Sequence, residues 1–162
     1  MRGLAKSARL EGGPGRQYAA LPYRCLDSLE ILLISSRETR RWVIPKGWPM
    51  KGRKPHETAA REALQEAGIT GRIGKEPIGS YQYIKRLNNG APLLCTVDVF
   101  PMMVERQRDR WREQQERTVQ WFLAEEAATA VEEPELQALI DAFAWAARRR
   151  PDDQEASGSD SE

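Results

Sequence analysis

Between Pro55 and Ala67 the chain reads PHETAAREALQEA and stops at Gly68. Proline suits the first helical position, where its missing N–H would have no partner anyway. Glu57 falls in the first turn, where the helix dipole favours a carboxylate. Gly68 suits a left-handed stop. Only the cap is poor, because Lys54 stands where Ser or Asp would serve. At about 100° per residue, Ala60, Ala63, Leu64 and Ala67 fall on one side, with Glu62, Gln65 and Glu66 on the other. The apolar side is expected to enter a core and the two glutamates to project together outside it. Their i,i+4 spacing is repulsive in an isolated helix. A divalent cation between them would reverse that penalty, and hard cations such as Mg²⁺ take oxygen ligands, usually shared with substrate phosphates. Two glutamates alone are better read as a solvated helix face, so the surrounding residues have to decide.

Those surroundings are mostly strands. YAALPYRC (18–25), LEILLISSR (29–37) and RWVIP (41–45) precede the helix. After it, IGSYQYIKRL (78–87) and PLLCTVDVFPMMVE (92–105) flank NNG at 88–90, a hairpin turn signal. TVQWFL (118–123) is a further strand, and AEEAATAV (124–131) and PELQALIDAFAWAARRR (134–150) read as helices. Strands around two main helices predict an α/β fold, a mixed sheet with helices on its faces. A chain of 162 residues suits one domain, placed at 17–150. Residues 1–16 are expected to be a flexible lead-in, and 151–162 an acidic disordered tail.

Charge is segregated rather than large. The net charge is +1, which gives no global basis for a nucleic-acid partner. From Arg37 to Lys54, however, seven basic residues face the single acid Glu38, so that loop is cationic. No apolar run approaches a membrane span, and the N-terminus lacks the apolar core of a secretory signal. Cys25 and Cys95 have no metal-type spacing and read as buried thiols, although one disulfide between them stays open. A cytoplasmic protein is the expectation, as a monomer or a homodimer.

With the helix and its lead-in combined, Gly47, Arg61, Glu62, Glu66, Gly68 and Ile69 keep the spacing G-x5-E-x7-R-E-U-x-E-E-x-G-U, in which U is aliphatic. The stretch resembles the Nudix box. The preceding WVIPKGW is similar to the PKGH lead-in of the diphosphoinositol polyphosphate and diadenosine polyphosphate hydrolases, with Trp48 in place of His. The resemblance implies an α/β/α sandwich and Mg²⁺- or Mn²⁺-dependent cleavage of a nucleoside diphosphate-X or related polyphosphate. It implies that Glu62, Glu66 and the Gly47 carbonyl ligate the metal, and that Arg61 orients a box glutamate. The metal would polarise the pyrophosphate and help to generate hydroxide.

Two letters depart from the box. Gln65 replaces a carboxylate; it keeps one carbonyl oxygen that can ligate a hard cation more weakly, but it cannot act as a base. The site would then run with fewer metals, draw a carboxylate from elsewhere, or have lost turnover. Glu113 and Glu116, in WREQQERT, are candidates for the missing base, although a solvated charge-rich loop is the plainer explanation of them. Arg53 replaces a glutamate that supports the loop. With Lys46, Lys51 and Lys54 it would suit a strongly anionic polyphosphate. His56 carries no assigned role. The readings that survive are a hydrolase of dinucleoside polyphosphates or inositol pyrophosphates, one of nucleotide sugars or capped RNA ends, and a binding or regulatory module without catalysis. Trp48 and Trp111 are the aromatics that RNA recognition could use.

Overall fold

The computed structural model describes residues 15–159, with side chains through 149. The expected flexible lead-in therefore lies almost wholly outside the described residues. The expected acidic tail lies outside those with described side chains, although the backbone of the last helix runs to Ser159.

Among the described residues, eight strands form one mixed sheet. β1 (Arg16–Cys25) is its axis, antiparallel to β2 (Leu29–Ser35) and parallel to β7 (Pro92–Gln107). β3 (Trp42–Val43) and β8 (Val119–Leu123) join β2, β4 (Lys46–Gly47) joins β1, and β5 (Ile69–Ile73) and β6 (Gly79–Arg86) join β7. The 88–90 turn closes the β6–β7 hairpin as expected: Leu87 N–H donates to Ala91 O, and Gly90 has φ 84°.

Alternation along the central strands divides two cores. Ala19, Leu21, Ile31, Leu33, Val97 and Val99 face α2 (Ala124–Ala130) and α3 (Pro134–Ser159). Tyr18, Ala20, Leu32, Ile34, Phe100 and Met102 face α1 (Pro55–Ala67). Strands covered on both faces lose the polar alternation of a half-exposed sheet, which is why β1 and β2 read as continuous apolar runs. The predicted α/β/α arrangement is the one found.

α1 has the bounds the sequence predicts. Glu57 compensates for the poor cap by accepting a hydrogen bond from Lys54 N–H at 2.7 Å, which holds its carboxyl below the usual range. The buried stripe, however, is Ala59, Ala63 and Ala67, flanked by Thr58 and Glu66, while Leu64 is only half-buried. Alanines let the helix lie close to the sheet, so residues beside the stripe are covered as well. The expectation that both glutamates stand outside the core holds for Glu62 only. β4 and β5 were not predicted. β4 is two residues long, and β5 follows the single connecting residue Gly68 with its ladder interrupted by a register shift at Thr70/Gly71. Cys25 is exposed rather than buried, Cys95 is buried, and the two form no disulfide.

Candidate metal centre and its cationic flank

β4 brings the sheet to the glutamates. It is paired through Tyr18 and Ala19 of β1 so that Gly47 lies directly under Glu62. A Cβ on Gly47 would come within 2.3 Å of Glu62 Oε1, so glycine is required here by close approach rather than by an unusual φ. Glu66 is only 6% exposed. Its Oε1 accepts a long hydrogen bond from Lys46 N–H at 3.4 Å and lies 3.7 Å from the Arg117 guanidinium. The Glu62 and Glu66 carboxyls lie close enough that each shifts the protonation of the other. Burial, then the neighbouring Glu62 carboxyl, pushes the Glu66 carboxyl well above the ordinary glutamate range. Burial raises Glu62 as well, against the opposing pull of Arg117 and Arg112.

Arg117 organises the negative charge. Its guanidinium is about nine-tenths buried, pairs with Glu113 Oε1 at 2.8 Å and donates to Ser35 O at 3.1 Å. Glu113 is largely buried beside it, and its charge is felt at Glu62. Glu116 is instead half-exposed and pairs with Arg37 at 3.3 Å. Of the two carboxylates in this loop, the structure brings Glu113 to the glutamate pair and leaves Glu116 at the rim.

The remaining predicted residues lie further out. Arg61 is exposed and makes no ion pair with either glutamate; the guanidinium at Glu66 belongs to Arg117, for which the sequence held no signal. Gln65 borders a cleft with Arg61, Arg108, Arg110, Trp111 and Arg112. Lys51, Arg53 and Lys54 are exposed on the loop before α1. Lys46 stands apart from them, its ammonium 5.0 Å from the Tyr83 ring centre. Desolvation lowers the Lys46 pKa to about 8, opposed by Glu66 and Glu133. Trp111, which the sequence offered only as an RNA-facing aromatic, donates from Nε1 to Glu66 O and packs over Gly68.

The donor set suits a hard divalent cation. Two neighbouring carboxyls, both raised by burial, are a pair that a cation would hold ionised, and the Gly47 backbone lies against one of them. Among the described residues no group of three or more His, Cys, Asp or Glu side chains is arranged to hold a metal. A bound ion would therefore rest on Glu62, Glu66 and backbone oxygen, with Gln65 facing the neighbouring cleft.

A dependence on pH follows. A carboxyl whose folded pKa is raised stabilises the fold fully below its unfolded pKa, and that contribution is lost as pH rises through the folded value. Lys46 behaves oppositely: its contribution is present above its unfolded pKa and is lost as pH falls through about 8. Without divalent cations, the glutamate pair should therefore weaken the fold as pH rises from the acid range toward neutrality. Added Mg²⁺ should raise the melting temperature, by an increment that grows with pH because its ligands must lose their proton. Thermal melts in EDTA and in Mg²⁺ between pH 5 and 8 test this; an increment equal at every pH would contradict it.

Comparison with known proteins follows the same lines. A family model described as "NUDIX domain" matches residues 15–146. A curated relative, "Nudix hydrolase 16, mitochondrial" of Arabidopsis thaliana, is 26% identical over 93% of this chain and 92% of its own length. "Diphosphoinositol polyphosphate phosphohydrolase 2" of Rattus norvegicus is 36% identical over a shorter span, 37% of this chain and 34% of its own. Among solved structures, that of a C. elegans Ap4A hydrolase is similar with a TM-score of 0.57, covering 80% of this chain and 96% of that one at 21% identity. This last likeness is one of fold.

Proposed function

Since the chain belongs to the Nudix family of hydrolases, we propose that it is a metal-dependent pyrophosphohydrolase acting on a dinucleoside polyphosphate or a diphosphoinositol polyphosphate. The observation that carries this reading is the neighbouring Glu62–Glu66 pair, with Glu66 buried and Glu62 set against the backbone of Gly47. Mg²⁺ or Mn²⁺ held there would polarise the phosphoanhydride and lower the pKa of the attacking water. Glu62, Glu66 and the Gly47 carbonyl hold the ion in this reading. Arg117 limits the repulsion among Glu62, Glu66 and Glu113. In this reading Glu113, whose charge reaches Glu62, takes a proton from water at the site, with Glu116 at the rim as the alternative. Names of relatives that include such substrates, together with the cationic lead-in loop, support the substrate class.

The exposed loop cations supply the next expectation. Replacing Lys51, Arg53 and Lys54 by Ala should raise KM most for the most highly charged substrate. The effect should shrink with added salt, because exposed charges are screened over about 8 Å at physiological ionic strength. A KM increase that is uniform across substrates and indifferent to salt would remove this loop from the substrate site.

A ligand-binding module without turnover is the second reading, favoured by the missing third side-chain carboxylate at Gln65. Hydrolysis of a panel of dinucleoside polyphosphates, inositol pyrophosphates and nucleotide sugars with Mg²⁺ and Mn²⁺ separates the two. Binding without product in every case would favour the module. Among the described residues no helix is long and apolar enough to cross a membrane. A cytoplasmic location belongs to the proposal and is supported by two cysteines that form no disulfide. The mitochondrial designation of the plant relative is the alternative that fractionation would reveal.

A further inference from the structure

The C-terminal end of α1 is covered by the loop after β7. Arg108 N–H donates to Gly68 O at 2.8 Å, Glu113 N–H to Gln65 O at 3.0 Å, and Trp111 Nε1 to Glu66 O at 3.2 Å. Carbonyls that a helix end leaves without partners are thus satisfied by neutral donors, and no guanidinium is used for the purpose. Gly68 completes the joint: its φ is 70°, and a Cβ there would come within 2.4 Å of the Trp111 ring. The loop is held by its backbone and by one indole, which fixes where its arginines stand.

Those arginines line a cleft of about 290 Å³ with Arg61, Gln65 and Trp111, near the lower end of the size range of small-molecule sites. Arg61, Arg108, Arg110 and Arg112 are all exposed, and none forms a salt bridge among the described residues. Asp109 is the one acid between Arg108 and Arg112. The negative end of the α1 dipole favours nearby cations, but such an effect is worth only about 0.3–1 kcal/mol per charge. It gives no reason for four guanidinium groups around one recess. The cleft also adjoins the glutamate pair: Arg61 and Gln65 precede Glu62 and Glu66 in the helix, and the charge of Arg112 reaches Glu62.

We infer that the cleft formed by Arg61, Arg108, Arg110 and Arg112 is a second anion subsite, which takes the phosphoryl groups of the substrate remote from the bond that is cleaved. Guanidinium groups bind phosphate oxygens in bidentate fashion and keep their charge at any physiological pH. Gln65 then has a role that does not involve the metal. It offers an amide donor to the anion, whereas a glutamate there would place a competing negative charge among the arginines. The assignment of these phosphates to the substrate rests on the hydrolase reading; the affinity of the cleft for phosphate does not.

The test is calorimetric titration of the full chain with inorganic tripolyphosphate in EDTA, where no metal contributes. Arg108→Ala with Arg110→Ala should weaken binding by about tenfold, equivalent to roughly 1.4 kcal/mol, and Gln65→Glu should weaken it as well. In hydrolysis, the double variant should raise KM increasingly with the number of phosphates and leave kcat unchanged. Wild-type affinity in the double variant would overturn the inference. So would a loss confined to the variant with Lys51, Arg53 and Lys54 replaced, or tighter binding of a short single-stranded RNA than of tripolyphosphate. Tighter Mg²⁺ binding in Gln65→Glu with unchanged tripolyphosphate affinity would return Gln65 to the metal and overturn its place in the cleft. Cleft-dependent binding without turnover of any substrate would defeat the hydrolase reading and leave the anion subsite standing.

Discussion

Glu66→Gln should lower the rate of phosphoanhydride hydrolysis by roughly 10²-fold or more, since changing even a partner of a metal ligand typically costs 10–100-fold in activity or affinity. The substitution keeps size and one acceptor oxygen while removing charge. Its effect on the metal-free fold should run the other way. The carboxyl is buried, lies against a second carboxyl and is pushed toward its protonated form, so a neutral isostere relieves a repulsion. Melting temperature in EDTA at neutral pH should hold or rise, and the stabilisation by Mg²⁺ should largely vanish. Hydrolysis and melting measured on one preparation check both halves. Equal activity in the variant and the parent across the substrate panel would remove Glu66 from the site.

Arg117→Met should cause the largest loss of stability. The guanidinium is buried and bonded to Glu113 and Ser35 O, with Glu66 at 3.7 Å. Removing one partner of a buried ion pair leaves an uncompensated charge and costs roughly 3–5 kcal/mol, a large part of the 5–15 kcal/mol by which domains are usually stable. Methionine keeps much of the volume, so the loss is chiefly electrostatic. Mg²⁺ should restore part of it by supplying positive charge to Glu66. Urea denaturation in EDTA and in Mg²⁺ provides the measurement, with a lower midpoint and an unchanged slope expected. A loss below about 1 kcal/mol, or one indifferent to Mg²⁺, would show that Arg117 does not neutralise these carboxyls.

What could be read from the sequence was what neighbours along the chain determine. Pro55, Glu57 and Gly68 bound α1 by local chemistry, and the apolar runs of β1, β2 and β7 marked them as strands. The spacing of Gly47, Glu62 and Glu66 pointed to the glutamate pair. Contacts between distant segments were not legible. Glu66 is covered because β4 passes beside it and the loop at 111–117 folds across it, and neither event leaves a periodic trace. Arg117 sits in a charge-rich loop where nothing distinguishes it from Arg112. The same loop contains Glu113 and Glu116, and only its path over α1 separates the buried carboxylate from the one at the rim. Cys25 looked like a core thiol by residue type, but it ends a strand, where the chain turns out to solvent.

The joint between α1 and the loop at 108–113 separates two kinds of change. It is made by main-chain groups, the Trp111 indole and a glycine with no side chain, so it asks nothing of residues 108, 110 and 112. In the proposed reading, those three positions could be exchanged without moving Glu113 or Arg117, which balance the charge of the glutamate pair from the following turn. If the cleft binds anions as inferred, the chain carries a replaceable faceplate on a fixed engine: altering the arginines would alter which anions are admitted, while the glutamate pair behind them would keep its alignment.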